Sequence, residues 1–237
     1  MSGDVTRYKQ QAAEFAVDKW IRSGMVVGLG HGSTASWALR RIAAKLQSGE
    51  LKDILGIAAS STVEQEARSL GIPLTTLDEH PVIDVTIDGA DEFDANCNLI
   101  KGGGGALLRE KIIAQASRAE VIVADYEKYS PVIGTRWPVP IEVTPFGYLT
   151  QFSFLESLGG SGQVRMQGDQ QYQTDGCNLI IDWRFGPIEN PHELSGQIIA
   201  RPGILEHGMF IDMVTEIIYA GPDGLKHLTS HGIGQER

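Results

Sequence analysis

Between Met25 and Ala124 short β-branched runs alternate with helical patterns, an order that few architectures accept. Met25-Val26-Val27-Gly28-Leu29 reads as a buried strand, with a helix over residues 34–46 behind it. Residues 54–59 form the next strand. The helix after it, 61–70, has Ser61 or Thr62 available as a cap ahead of Glu64. A third strand, 82–87, ends at Asp88; a helix over 106–117 and a strand over 121–124 follow. Strands spaced by helices join through right-handed crossovers into a mostly parallel sheet, and such sheets bind ligands at the carboxyl ends of their strands. The expected fold class is α/β.

The pattern changes at Trp137-Pro138-Val139-Pro140, where two prolines around an apolar run suggest an edge strand or a crossing between domains. Beyond it come a helix over 148–158, a strand around Val164, a turn at Thr174-Asp175-Gly176, a strand over 179–183 and a helix over 192–200. That order suits a small α+β domain with an antiparallel sheet. Residues 204–210 and 213–220 read as strands returning to the main body. The expected division is residues 1–136 with 206–237, and residues 137–205; 237 residues, 42% hydrophobic, can supply both cores.

A net charge of -10 argues against nucleic acid as a partner. It leaves room for a phosphorylated small molecule, because a nest of backbone N–H groups and one or two lysines outweighs the global field locally. Cys97 and Cys177 have no CxxC spacing and are expected as free thiols. Residues 1–11 are polar and lack the apolar run of a signal peptide, and no stretch reaches the roughly 18 apolar residues of a membrane helix. A soluble, cytoplasmic protein is expected.

Three segments could carry chemistry. Gly28-Leu29-Gly30-His31-Gly32-Ser33-Thr34 lies between a strand and a helix, where glycines permit close approach and Ser33 and Thr34 offer hydroxyls at a helix N-terminus. It can hold a phosphate or a sugar hydroxyl, and reads equally as a capped turn. The dinucleotide fingerprint fails at Ser33, and no Walker lysine is present. Asp88-Gly89-Ala90-Asp91 closes a strand, with Asp84, Glu92 and Asp94 nearby. Two carboxylates three residues apart can share a cleft as acid–base groups or hydroxyl acceptors. The oxygen spacing of a calcium loop is missing, and an Asx-type turn would account for one aspartate but not the cluster. The strongest segment is Lys101-Gly102-Gly103-Gly104-Gly105, followed by Glu110 on a helix. Four glycines in a row cost unfolded-chain entropy and bring bare amides up to an anion, with Lys101 adding charge. Glu110 is expected in the second turn, shielded by Leu107 and Ile113; its ordinary alternative is a surface Glu paired with a lysine. Lys128 could reach a ligand at the same sheet edge. His227 and His231 have i, i+4 spacing without the accompanying Glu, which makes a poor metal site.

The segments GLGHGSTA, DGADEFD, LIKGGGGALLREKIIA, VADYEK, PVPIEV and RPGILEHGMF together resemble ribose-5-phosphate isomerase, type A, and span nearly the whole chain in the family's order. The resemblance implies a Rossmann-like catalytic domain whose mostly parallel sheet is flanked by helices, with a smaller ferredoxin-like α+β domain. It also implies a homodimer or homotetramer, no metal or organic cofactor, and a place in the pentose phosphate pathway. It makes Glu110 the proton acceptor, with Asp88, Asp91 and Lys101 sharing the chemistry. His31, Gly32, Ser33, Thr34, Asp88, Gly89, Ala90, Asp91, Lys101, Gly102, Gly103, Gly104 and Lys128 match substrate-binding positions. The usual loop reads Gly-Thr-Gly-Ser-Thr, and His31 stands at its Thr place; Thr174-Asp175-Gly176-Cys177-Asn178 departs from the usual TDNGN.

The implied reaction moves a proton between adjacent carbons through an enediolate, which needs one mobile base and a preorganised home for negative oxygen. A sugar-phosphate deaminase or an acyl-CoA transferase on a similar fold, and a sugar-phosphate sensor that binds without turnover, are the alternatives.

Overall fold

The computed structural model describes residues 2–229. The chain runs α1 (Ser2–Trp20), β1 (Val26–Leu29), α2 (Ala35–Ser48), β2 (Leu55–Ala58), α3 (Ser61–Ser69) and β3 (Val85–Gly89). Two short strands, β4 (Glu92–Phe93) and β5 (Leu99–Ile100), precede α4 (Leu107–Ala116), β6 (Glu120–Asp125) and a 3-10 turn (Tyr126–Lys128). Next come β7 (Val139–Val143), α5 (Thr150–Ser157), β8 (Ser161–Val164), β9 (Met166–Gln167) and β10 (Gln170–Gln171). The remainder is β11 (Leu179–Arg184), α6 (Pro191–Ile199), β12 (Ile204–His207), β13 (Met209–Phe210), β14 (Glu216–Gly221) and β15 (Gly224–Thr229). Two compact units result. Within the described residues, the first holds 2–90, Arg109–Lys128 and 212–229; the second holds Asp91–Leu108 and Tyr129–Ile211.

The first unit is a six-stranded sheet in the order β15-β14-β6-β3-β1-β2. Every pairing is parallel except that of the edge strand β15 with β14. Val27, Leu29, Ile87, Val121, Val123 and Ile218 pack from these strands against Ala12, Ala16 and Val17 of α1 and Leu39 and Ile42 of α2. Each large aliphatic side chain buried this way contributes about 1.5–3 kcal/mol. The helix α1 and the strand β15 are elements that the apolar runs did not announce. Most of the buried face of α1 is alanine, which carries little periodic signal. The N-cap of α3 is Ser60 rather than Ser61 or Thr62; its hydroxyl accepts the Val63 N–H at 3.1 Å. No described helix is long and apolar enough to cross a membrane.

The second unit is built on a four-stranded sheet in the order β12-β7-β11-β8, with α5 and α6 in the βαββαβ connectivity expected of a ferredoxin-like domain. Its core gathers Val139, Ile141, Val143, Ile181 and Trp183 against Leu155 and Ile198. Two expectations are corrected. The proline-flanked run is an inner strand, not an edge; pairing of β12 with β7 ends at His207 opposite Ile141, so Pro140 lies beyond that ladder. Its carbonyl accepts the Gly208 N–H at 2.7 Å. Residues 204–210 do not return to the main sheet: β12 joins the small sheet, and β13 pairs with β5 in a three-stranded sheet with β4. The second unit therefore also takes Asp91–Leu108 and reaches beyond 137–205 at both ends.

Two five-residue turns in this unit share one geometry. In Asp94-Ala95-Asn96-Cys97-Asn98, Cys97 N–H donates to Asp94 O and Asp94 N–H to Asn98 O. In Thr174-Asp175-Gly176-Cys177-Asn178 the same two bonds join Cys177 to Thr174 and Thr174 to Asn178. Both cysteines sit in the left-handed region, at φ 61° and 60°, a place where glycine is usual. Both thiols are free, Cys97 buried and Cys177 exposed.

Candidate functional site

In the first unit the C-terminal ends of three adjacent strands carry most of the expected residues. The loop after β1 crosses so close to β3 that a Cβ on Gly30 would collide with the Asp88 Cα. Only glycine fits there. Asp88, 1% exposed, then turns its Oδ1 to the His31 N–H at 2.9 Å and the Gly89 N–H at 2.6 Å. Its carboxylate thus ties the His31 amide of that loop to the end of β3. Thr34 is the buried N-cap of α2 without a side-chain capping bond, and Gly32 and Ser33 are exposed beside it. Lys9 of α1 donates to Ser33 Oγ at 3.0 Å and lies 3.9 Å from Asp125 at the end of β6. Lys128, partly buried, closes the 3-10 turn after that strand. A helix N-terminus with hydroxyls beside it has the polarity that suits an anion. Lys9 was not foreseen, because a lysine on an unannounced helix has no local signature.

His31, at the place of the usual threonine, directs its ring to the fold. Its Nδ1 lies 2.8 Å from Ser60 Oγ, the hydroxyl that caps α3.

Glu110 belongs to the first turn of α4, not the second, and is 4% exposed. That settles against an ordinary surface glutamate. Charged side chains buried to this degree are held by partners, as are Glu92, Glu142 and Glu216 elsewhere in the chain.

In the second unit Lys101 follows β5 and is 2% exposed; its N–H donates to Gly208 O at 2.8 Å. Its ammonium lies 5.4 Å from the centre of the Phe210 ring, a cation–π arrangement. Gly102 adopts φ 100°, which a side chain would strain. Asp91 Oδ2 accepts the Gly103 N–H at 2.6 Å. The two aspartates of the Asp88-Gly89-Ala90-Asp91 motif thus do the same thing in different units: each holds the amide of a glycine-rich loop.

The remaining acids nearby have backbone roles. Asp84 accepts the Val26 N–H and pairs with Arg118. Glu92 accepts N–H groups of Gly134, Arg136 and Trp137, and Asp94 those of Asn96 and Asn98. The acidic cluster therefore resolves into one carboxylate per loop. Of the histidine pair, His227 Nδ1 lies 2.8 Å from Glu216, and His231 is outside the described residues. A cavity of about 340 Å³ in the first unit is lined by Ile57, Leu74, Leu77 and Ile113, and none of the expected site residues borders it.

Comparison with known proteins is decisive about kinship. Residues 55–224 match the family described as ribose 5-phosphate isomerase A (phosphoriboisomerase A). The chain belongs to that family. It is 49% identical to the ribose-5-phosphate isomerase A of Chloroflexus aurantiacus over 99% of this chain and 98% of the relative. Among solved structures, the ribose 5-phosphate isomerase of Plasmodium falciparum is 39% identical, with a TM-score of 0.92 over 95% of this chain and 99% of that one. A D-ribose-5-phosphate isomerase in complex with phospho-erythronic acid, 35% identical, superposes with the same TM-score and coverage. Family members thus share the whole architecture, both units included.

Proposed function

We propose that the chain interconverts ribose 5-phosphate and ribulose 5-phosphate, with Glu110 moving the proton between C1 and C2. The observation that carries the assignment is the burial of Glu110 in the turn of α4 that directly follows the glycine loop. A carboxylate kept from bulk water returns the proton it takes to the substrate instead of exchanging it. As Glu110 takes the proton from C2 of the open-chain aldose, the electron pair moves through the C1–C2 bond onto the carbonyl oxygen. Lys101, with the exposed amide of Gly104, steadies that oxygen, while Gly102 and Gly103 shape the loop. A proton then passes from the C2 hydroxyl to the C1 oxygen, and return of the Glu110 proton to C1, as the O2 electron pair forms the new carbonyl, gives the ketose. Asp88 assists ring opening, and Asp91 holds the loop amide while accepting from sugar hydroxyls. The phosphate falls to the first unit's anion site: Gly32, Ser33, Thr34 and Lys9, with Lys128. His31, Gly89 and Ala90 contribute backbone to the pocket.

This mechanism requires no metal or organic cofactor, and the protein works as a homodimer or homotetramer. Phe146 and Leu149, 93% and 66% exposed, are apolar enough to favour a covered face in such an assembly. The test is conversion of ribose 5-phosphate in the presence of a chelator, with Glu110→Gln beside the native chain. Undiminished native turnover and a drop of about 10³-fold in kcat for the variant are expected. A folded variant with near-native kcat removes Glu110 from the role; native turnover abolished by the chelator removes the cofactor-free mechanism. Binding without turnover by the native chain would make it a sensor.

A further inference from the structure

We propose that Arg165, braced by Asp182, is a positioning residue for catalysis: it aims the Gly104 amide at the oxygen that becomes negative. The proposal rests on the isomerase reading above. Arg165 lies between β8 and β9, far in sequence from the glycine loop, and its side chain is 14% exposed. Nε and Nη2 make a two-point bond to Asp182 of β11, at 2.8 and 2.5 Å. The remaining nitrogen, Nη1, donates to Gly102 O at 2.9 Å and to Gly103 O at 3.1 Å. Its backbone is tied as well, Arg165 N–H to Ile180 O and Tyr172 N–H to Arg165 O. Tyr172 adds its hydroxyl to Gly104 O at 3.3 Å and sets its ring 5.7 Å from the guanidinium.

The consequence follows from peptide geometry. In a trans peptide the carbonyl and the next N–H point in opposite directions. Fixing Gly102 O on Arg165 sends the Gly103 N–H the other way, where Asp91 accepts it at 2.6 Å. Fixing Gly103 O on the same cation sends the Gly104 N–H away from Arg165, and Gly104 is exposed. The Gly105 N–H is turned inward to Gly102 O at 2.9 Å. A positive charge on a carbonyl oxygen also draws density from its amide and makes that N–H a stronger donor. Lys101 supplies the charge; Arg165 determines where the neighbouring dipole points. Nothing in this arrangement involves the phosphate site.

Steady-state kinetics on ribose 5-phosphate with Arg165→Gln, Arg165→Lys and Asp182→Asn test the idea, alongside melting temperature and inhibition by inorganic phosphate. The expected result for Arg165→Gln is a fall in kcat of about ten- to hundred-fold. KM and the phosphate inhibition constant should stay within about threefold, because the lost donor acts on the transition state. Arg165→Lys should recover part of kcat, and Asp182→Asn should shift it the same way by less. If Arg165→Gln fails to fold, Asp182→Asn, which keeps the guanidinium, carries the test. A kcat within about twofold of native in the folded variants overturns the proposal. So does a loss confined to KM, or one that tracks melting temperature across all three. A native chain that turns over no ribose 5-phosphate overturns the isomerase reading instead.

Discussion

The two glycine-rich loops reach the same end by different means. The loop after β1 is held by contact: Gly30 lies on the Asp88 backbone with no room for a methyl group, and the buried Asp88 carboxylate accepts two N–H groups behind it. The loop after β5 is held by charge. Asp91 draws one amide, Arg165 draws two carbonyls, and Tyr172 draws a third. Steric support lies within a strand and its neighbour and is as rigid as the core. Polar support comes from side chains scattered over the second unit, and can be weakened one bond at a time.

Three substitutions bear on that contrast. Gly30→Ala drives a methyl into Asp88, and overpacking against backbone leaves little chance of relaxation. The expected outcome is loss of several kcal/mol and of soluble protein, read by expression and circular dichroism. A folded Gly30→Ala variant with near-native activity would show that the first loop is not sterically fixed. Asp88→Ala strips the partner from two partly buried N–H groups and should cost about 1–3 kcal/mol by denaturant unfolding, besides its effect on turnover. Asp91→Ala, at a partly exposed site, should leave the unfolding midpoint nearly unchanged and lower kcat/KM by about tenfold. Equal stability losses for Asp88→Ala and Asp91→Ala would erase the distinction.

The same contrast explains what could be read from the chain. The first loop was legible because strand, turn and helix N-terminus are contiguous in sequence. The parallel strands were legible because their residues are buried and β-branched. For the second loop only the glycines and Lys101 could be seen; Arg165, Tyr172 and Asp182 lie some sixty to eighty residues away, and no local pattern marks them. Glu110 looked like any helical glutamate until its burial was visible. Lys9 escaped because the alanine face of α1 announces no helix. Pro140 misled, since a missing N–H matters only on a side where a ladder continues. The segments 91–108 and 204–210 misled for a related reason: each holds two short strands whose partners are chosen by tertiary pairing rather than by their own composition.

The paired cysteine turns give the protein a chemical handle. Burial beside Asp94 pushes the Cys97 thiol up to about 11, so almost none of it is thiolate at neutral pH. Cys177, in a backbone turn of the same shape, faces solvent. A maleimide reagent should therefore consume one thiol per folded chain, visible as a single mass increment, and two after unfolding. Two labels on the native protein would mean that the Asp94 turn opens. Cys177 thus places an accessible thiol on the second unit, where a label can be attached without further engineering.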